Sequence, residues 1–333
     1  MKKSVSLRDV AEHAGVSLGT ASKIVNDTGN VNDKMRADVL KAVKELNYIP
    51  NLFARSLKTN LTYSIGIIIP EISNSFFAEV VTGIQNVFEP MNYSVLIYNT
   101  HLDSREEIKA FQVFNQKVDG IIFVSNTINE ELKTVLKELT IPLVLISTYA
   151  EGFVSLNIDN EEAACTAVDY LCQAGHTKIA LISGKPDDLN AGYPRMKGYQ
   201  KALKKNGLPV IEDYVKIGNF KFDDGIEITK ELLALKNRPT AIFAASDTMA
   251  VGVLHTALSK GFQVPQDISI IGFDDIEYAR YCYPALTTVR QPRLQMGEEG
   301  AHKLHQLIEK KPVPVKNYIF DFEFIVRNSS API

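Results

Sequence analysis

Gly15-Val16-Ser17-Leu18-Gly19 spells G-x-S-x-G, the spacing that presents a serine nucleophile on a tight strand-to-helix turn in hydrolases. That chemistry needs a strand before the serine, and Leu7, Val10, Ala11 and Ala14 recur instead at i, i+3, i+4, i+7, the period of a helix. After Gly15, Ala21, Ile24 and Val25 resume a short apolar stripe. Read in those flanks, Ser17 is an N-cap whose oxygen accepts the amide hydrogen of Gly19 or Thr20, worth on the order of 1 kcal/mol. Helix, glycine turn and serine-capped helix make a helix-turn-helix, with a plain αα-hairpin as the alternative.

A second group of chemistry-bearing residues lies farther along, after apolar runs. Ser73, Asn74, Phe76 and Phe77 follow IGIIIPEI; Ser125 follows IFV; Arg195 follows ALISGKP and its loop. Phe220 follows VKIGN, Ser246-Asp247 follow AIFAA, and Asp274 follows SIIGF. Two carboxylates, an arginine and several phenylalanines facing one crevice suit a sugar. Carboxylates accept from vicinal hydroxyls, a guanidinium donates to ring or hydroxyl oxygens, and a phenyl ring covers the apolar C–H face. Each has a structural alternative: Asp247 as a helix cap, Asp274-Asp275 as a turn, Arg195 as an ion pair.

The elements that must position these groups follow from periodicity. A third helix spans Met35, Val39, Leu40, Val43 and Leu46, and Pro50 marks its boundary. From Tyr63 the pattern changes. SIGIII, YSVLIY, VDGIIFV, IPLVLI, KIALIS, TAIFAA and ISIIGF alternate with helical stretches near 75–90, 103–117, 130–139, 160–174, 190–206, 224–236 and 247–260. Near-continuous β-branched runs between helices imply parallel sheets covered on both faces. So many βα units exceed one comfortable sheet, and two lobes are expected, with a break near Asp159. Doubly wound sheets bind ligands beyond the carboxyl ends of their strands, where the second group falls.

Charge is divided along the chain. Residues 1–60 hold ten Lys/Arg against six Asp/Glu, net +4, which leaves −7 on the remainder of a chain whose total is −3. A basic end facing phosphates and an acidic bulk repelling them fit nucleic-acid binding by the head alone. The first residues lack the apolar run of a secretory signal, and no apolar stretch approaches the length of a membrane span. Cys165, Cys172 and Cys282 form no CxxC pair and read as buried small hydrophobes in a reducing cytosol. Gly184-Lys185 lacks the other letters of a P-loop, and His302 with His305 has no further ligand nearby, so neither nucleotide hydrolysis nor a metal site is expected. No cofactor is expected, and the C-terminus carries no heptad pattern for a tetramerising coiled coil.

Taken in order, VSLRDVAEHAGVSLGTASKIVND, LNYIPNLFARSLKT, SIGIIIPEISNSFFAEVVTGI, VDGIIF, AGHTKIALISG, RMKGYQKAL, PTAIFAASDTMAVGV and ISIIGFDDIEYARYCYPALTTVRQP resemble the LacI/GalR family of bacterial repressors from end to end. The resemblance implies a small all-α helix-turn-helix head over 1–50, with the motif about 7–26, and a hinge helix over 51–60. It implies an α/β body like periplasmic binding proteins over 61–333, made of two doubly wound parallel-sheet lobes. The first lobe is expected at about 61–159 plus 290–318, the second at about 160–289 plus 319–333. It further implies a cytoplasmic homodimer, not an enzyme, that represses a carbohydrate-use operon from a pseudo-palindromic double-stranded DNA operator. A small sugar between the lobes would release it.

The resemblance also assigns roles. Leu18, Gly19 and Lys23 would approach base edges from a helix opened by Ser17, while Thr20, Ser22 and Asn26 would contact phosphates. Lys23 stands where an arginine is frequent, and Gly19 offers no side chain, so direct reading of bases is thin. Asn51, Leu57 and Lys58 would belong to the hinge, Leu57 wedging between central base pairs; a plain linker is the alternative. Effector contacts would fall on Arg195, Asp247 and Asp274, with Phe220 and the Ser73–Phe77 loop beside them.

Two further readings remain. A catabolite regulator that binds a phosphocarrier protein would carry Tyr-Asp after Gln-Pro and an arginine farther on, and here Gln291-Pro292 is followed by Arg293-Leu294-Gln295 with His302 at the later position. A sugar-binding protein without DNA function would share the body but not the head.

Overall fold

The computed structural model describes residues 5–25, 31–48, 61–125 and 127–333. The chain forms two compact units, 1–62 and 63–333. Asn26, Asn51, Leu57, Lys58 and the expected hinge helix lie outside the described residues.

In the first unit α1 (Leu7–His13), α2 (Leu18–Val25) and α3 (Asp33–Glu45) surround a small core of Val10, Ala11, Ala21, Ile24, Val39, Ala42 and Tyr48. Ser6 opens α1 with a capping box closed by Asp9. Gly15 sits at φ +65°, a left-handed turn that glycine adopts without a Cβ penalty, and it redirects the chain into α2. His13 on α1 meets Glu45 at the end of α3 at 2.9 Å, tying first helix to third.

The second unit alternates strands and helices: β1 (Ser64–Ile69), α4 (Ser75–Phe88), β2 (Ser94–Asn99), α5 (Ser104–Phe114), β3 (Gly120–Val124), α6 (Glu130–Lys137), β4 (Leu143–Ile146) and β5 (Val154–Ile158). Then come α7 (Asn160–Gln173), β6 (Ile179–Ser183), α8 (Gly192–Lys205), β7 (Val215–Ile217), α9 (Phe222–Ala234), β8 (Ala241–Ala244), α10 (Asp247–Ser259) and β9 (Ser269–Asp274). The chain ends with α11 (Glu277–Tyr281), β10 (Thr287–Arg290), α12 (Arg293–Ile308), β11 (Asn317–Phe320) and β12 (Glu323–Ile325). Side chains cap several helix starts: Asn74, Asp103, Asp159 and Ser246 each accept an amide of the first turn.

Two six-stranded sheets result, ordered β11-β5-β4-β3-β1-β2 and β12-β10-β9-β8-β6-β7. The first is parallel throughout; in the second only β12 runs antiparallel, against β10. The inner strands β3, β4, β6 and β8 are buried at every residue, because helices cover both faces.

The chain passes between sheets three times. The first passage lies between Ile158 and Asn160. The second follows Arg290, which still pairs in the second sheet opposite Asp274. The third lies between Phe320 and Glu323, not at 318/319, because Ile319 and Phe320 pair with Asn157 and Ile158 of β5. Of the cysteines only Cys165 is fully buried; Cys172 and Cys282 are half-buried, and the Cys282 thiol donates to the Ala279 and Pro284 carbonyls. Among the described residues no helix is long and apolar enough to cross a membrane.

Candidate functional site

The carboxyl ends of both sets of strands open onto one cavity of about 590 Å³ within the second unit. From the first lobe come Ser73, Asn74, Phe76 and Phe77 after β1, Ser147 after β4, and Asn157 at the end of β5. From the second come Arg195 on α8, Phe220 after β7, Ser246 and Thr248 at the start of α10, and Asp274 at the end of β9. Gln291, in the second passage, completes the floor.

Arg195 is buried and held on four sides. Its Nε donates to Asn160 Oδ1 at 2.8 Å and its Nη1 to the Ala245 carbonyl at 2.6 Å. Its Nη2 stands 3.9 Å from Asp274 Oδ1, and its guanidinium lies 3.7 Å from the centre of the Phe273 ring. Asp274 accepts from Gln291 Nε2 at 2.7 Å. Burial pushes the Asp274 carboxyl up, and Arg195 beside it pulls the other way. Charge on the floor is therefore balanced by one arginine and one aspartate.

Four residues at the cavity carry left-handed backbones: Asp274 at φ +119°, Leu102 at φ +62°, Phe220 at φ +61° and Ser147 at φ +59°. Such backbones are costly for non-glycine residues and collect at functional sites. The Phe220 ring lies against Gly184, where an added Cβ would collide with it, so glycine there lets the ring seat against the wall.

Two expected wall residues are elsewhere. Ser125 is buried behind β3, where its hydroxyl donates to Glu107 Oε1 at 3.4 Å and to the Thr127 carbonyl. Asp247 has no exposed surface; it accepts from the Ile276 amide at 2.9 Å and from Thr288 Oγ1 at 2.6 Å, bracing the loop after β9 against β10. Burial, with Asp274 nearby, pushes its carboxyl to about 7. Its neighbours Ser246 and Thr248 face the cavity instead, because α10 turns Asp247 inward at its first residue. Sequence reasoning missed Ser147, Asn157, Asn160 and Gln291. Asn157 and Asn160 flank the end of β5, and asparagine on both sides of a strand end is the signal that was present.

Glu107 has its own consequence. Burial raises its carboxyl from 4.5 to about 7. The folded state then binds a proton more tightly than the unfolded chain, so stability is greatest below pH 4.5 and falls as pH rises toward 7. Glu107→Gln keeps the acceptor for Ser125 without the charge. It is expected to raise stability by about 2–3 kcal/mol at pH 8 and to change little at pH 4, measured by urea unfolding at both. Equal gains at both pH values would mean that packing, not charge, is responsible.

In the head, Thr20 donates its amide to Ser17 Oγ at 3.1 Å, the cap expected from the sequence. Ser17, Leu18, Gly19 and Lys23 are exposed and Thr20 and Ser22 half-exposed along α2, while Ala21 and Ile24 turn inward. One face of α2 thus packs and the other presents itself to solvent.

A helical head whose second helix turns one face to solvent, in a chain with a two-lobed α/β body and a cavity at its strand ends, defines a DNA-binding regulator with a periplasmic-binding-protein-like body. Residues 6–51 match the model of bacterial regulatory proteins of the lacI family, and residues 168–330 match a periplasmic binding protein-like domain. The chain is 36% identical over 330 residues to the HTH-type transcriptional regulator RegA of Clostridium saccharobutylicum, covering 98% of this chain and 99% of that one. It is 37% identical over 313 residues to catabolite control protein A of Priestia megaterium, covering 93% and 94%. Among solved structures, the Lac repressor dimer bound to operator and the anti-inducer ONPF matches with a TM-score of 0.87 and 28% identity, over 99% of this chain and 100% of that one. The protein belongs to the lacI family of bacterial regulatory proteins: it is a DNA-binding transcription regulator, not an enzyme.

Proposed function

We propose that the protein is a cytoplasmic homodimeric repressor of a carbohydrate-use operon, released from a pseudo-palindromic operator by a small neutral sugar held between the lobes. The observation that carries this reading is the cavity floor, where Arg195, Asp274, Gln291 and Asn160 form a charge-balanced set of donors and acceptors under phenylalanine walls. Ser73, Asn74, Phe76, Phe77, Phe220 and Ser246 complete the binding set. Dimerisation is supported by exposed Leu96 and Ile97 on the edge strand β2 and by exposed Tyr281 and Tyr283. The test is a gel-shift titration on an operator selected from random duplexes. A sugar is expected to weaken binding at least tenfold, and tighter binding with sugar would overturn the inducer assignment.

In the head, Thr20 and Ser22 serve the phosphates, and Leu18, Gly19 and Lys23 face bases from the helix that Ser17 caps. Lysine offers a point charge where arginine offers a fork matched to guanine. Lys23→Arg is therefore expected to enrich guanine at one position of each half-site in the selected pool. An unchanged pool would remove Lys23 from base reading.

The 37% identity with catabolite control protein A favours a second reading, regulation through a phosphocarrier protein. Against it, the exposed face of α12 carries Leu294, Gln295 and His302.

A further inference from the structure

Exposure along the cavity wall follows a gradient. The floor residues Arg195, Asp274, Gln291, Asn157 and Ser246 are buried. The mouth carries large apolar groups left open to water: Leu102 is 55% exposed, Phe222 38% and Tyr278 65%, and all three line the same cavity. At about 30 Å³ per water, 590 Å³ accommodates on the order of twenty waters, more than one pyranose displaces. The floor donors and acceptors are enough to hold one sugar ring by its hydroxyls. They give no account of the aromatic and aliphatic mouth, whose three apolar groups line the same cavity and offer contact area beyond the floor.

Charge narrows the ligand. Arg195 and Asp274 offset one another on the floor, and the other charged residues lining the cavity, Glu71 and Lys221, are one of each sign. The cavity holds no cationic excess to neutralise a phosphate or carboxylate.

We infer that the effector is a neutral disaccharide, one ring hydrogen-bonded on the Arg195–Asp274 floor and the second laid by its C–H face against Phe222, Tyr278 and Leu102. This rests on the sugar reading above and specifies its size and charge. The outer ring gains mainly contact area, so the mouth residues discriminate disaccharide from monosaccharide, while the floor serves both.

Calorimetry on the full-length protein with glucose, galactose, maltose, cellobiose, lactose and glucose 6-phosphate tests it. The best disaccharide is expected to bind at least tenfold more tightly than the best monosaccharide. Phe222→Ala combined with Tyr278→Ala is expected to erase that gap, and Tyr278→Ala alone, at an exposed position, to narrow it. A monosaccharide binding as tightly as every disaccharide, or a gap that survives the double substitution, would overturn the two-ring assignment and leave the sugar reading standing. Tightest binding by the phosphorylated sugar would overturn neutrality. Binding by none of the six would remove the sugar reading itself.

Discussion

Arg195→Ala is expected to raise the dissociation constant for the effector at least a hundredfold, about 3 kcal/mol, while operator affinity stays within threefold. The size follows from what the side chain holds together. Its remaining N–H groups are the charged donors on the floor, and charge-assisted hydrogen bonds are the strong ones. It also pulls the Asp274 carboxyl back against the upward push of burial. Removing the guanidinium therefore costs a donor and weakens the neighbouring acceptor. Arg195→Lys is expected to rescue little, since a single ammonium cannot reach Asn160, the Ala245 carbonyl and a ligand together. Thermal shift with and without sugar, beside a gel shift without it, separates the two quantities. A sugar response like that of the unaltered protein would make Arg195 a packing residue.

The second large effect concerns stability. Asp275, whose side chain is fully buried, receives Arg290 Nε at 2.7 Å, Arg327 Nη2 at 2.5 Å and Arg280 Nη2 at 3.3 Å. Burial pushes its carboxyl up, but the hydrogen bonds from Arg290 and Arg327 outweigh that and hold it below the usual carboxylate range. Asp275→Ala is expected to destabilise the protein by about 3 kcal/mol in urea unfolding, the lower end for breaking a buried pair, because Arg280 and Arg290 still reach water. A lowered folded pKa contributes stability that is complete above the unfolded value near 3.8 and is lost as pH falls through the lower folded one. The deficit is thus expected to be constant from pH 5 to 8 and to shrink only in stronger acid. A loss below about 1 kcal/mol would mean that the arginines are satisfied without it, Glu323 already taking Arg290.

The apolar runs gave β1 to β4, β6, β8 and β9 because buried parallel strands are apolar on both faces, and helical periodicity gave their partners. Missed were α11, the inner strand β10 and the edge strands β11 and β12. Asn317–Phe320 and Glu323–Ile325 are short and half-exposed, and pairing with distant strands, not composition, makes them strands. Arg195, Phe220, Asp274 and the Ser73–Phe77 loop reach the cavity because the end of a strand is visible in sequence. Asp247 does not, because a helix's first turn decides by rotation which neighbour faces the cavity, and Ser125 does not, because it is buried against Glu107 behind β3. Ser246, Asp247 and Thr248 are all polar, and only the packed helix shows which of them face the cavity.

The placement of β11 and β12 bears on how the molecule is made. β11 closes an edge of the first sheet and β12 an edge of the second, while Ser329 bonds to Ile270 and Thr287 deep in the second lobe. Neither lobe is therefore complete on the ribosome until residues 317–330 have emerged, though most strands of both were synthesised long before. A chain cut short at residue 316 loses an edge from each lobe at once, and a nascent chain carries two unfinished sheets together until its last segment arrives to seal them.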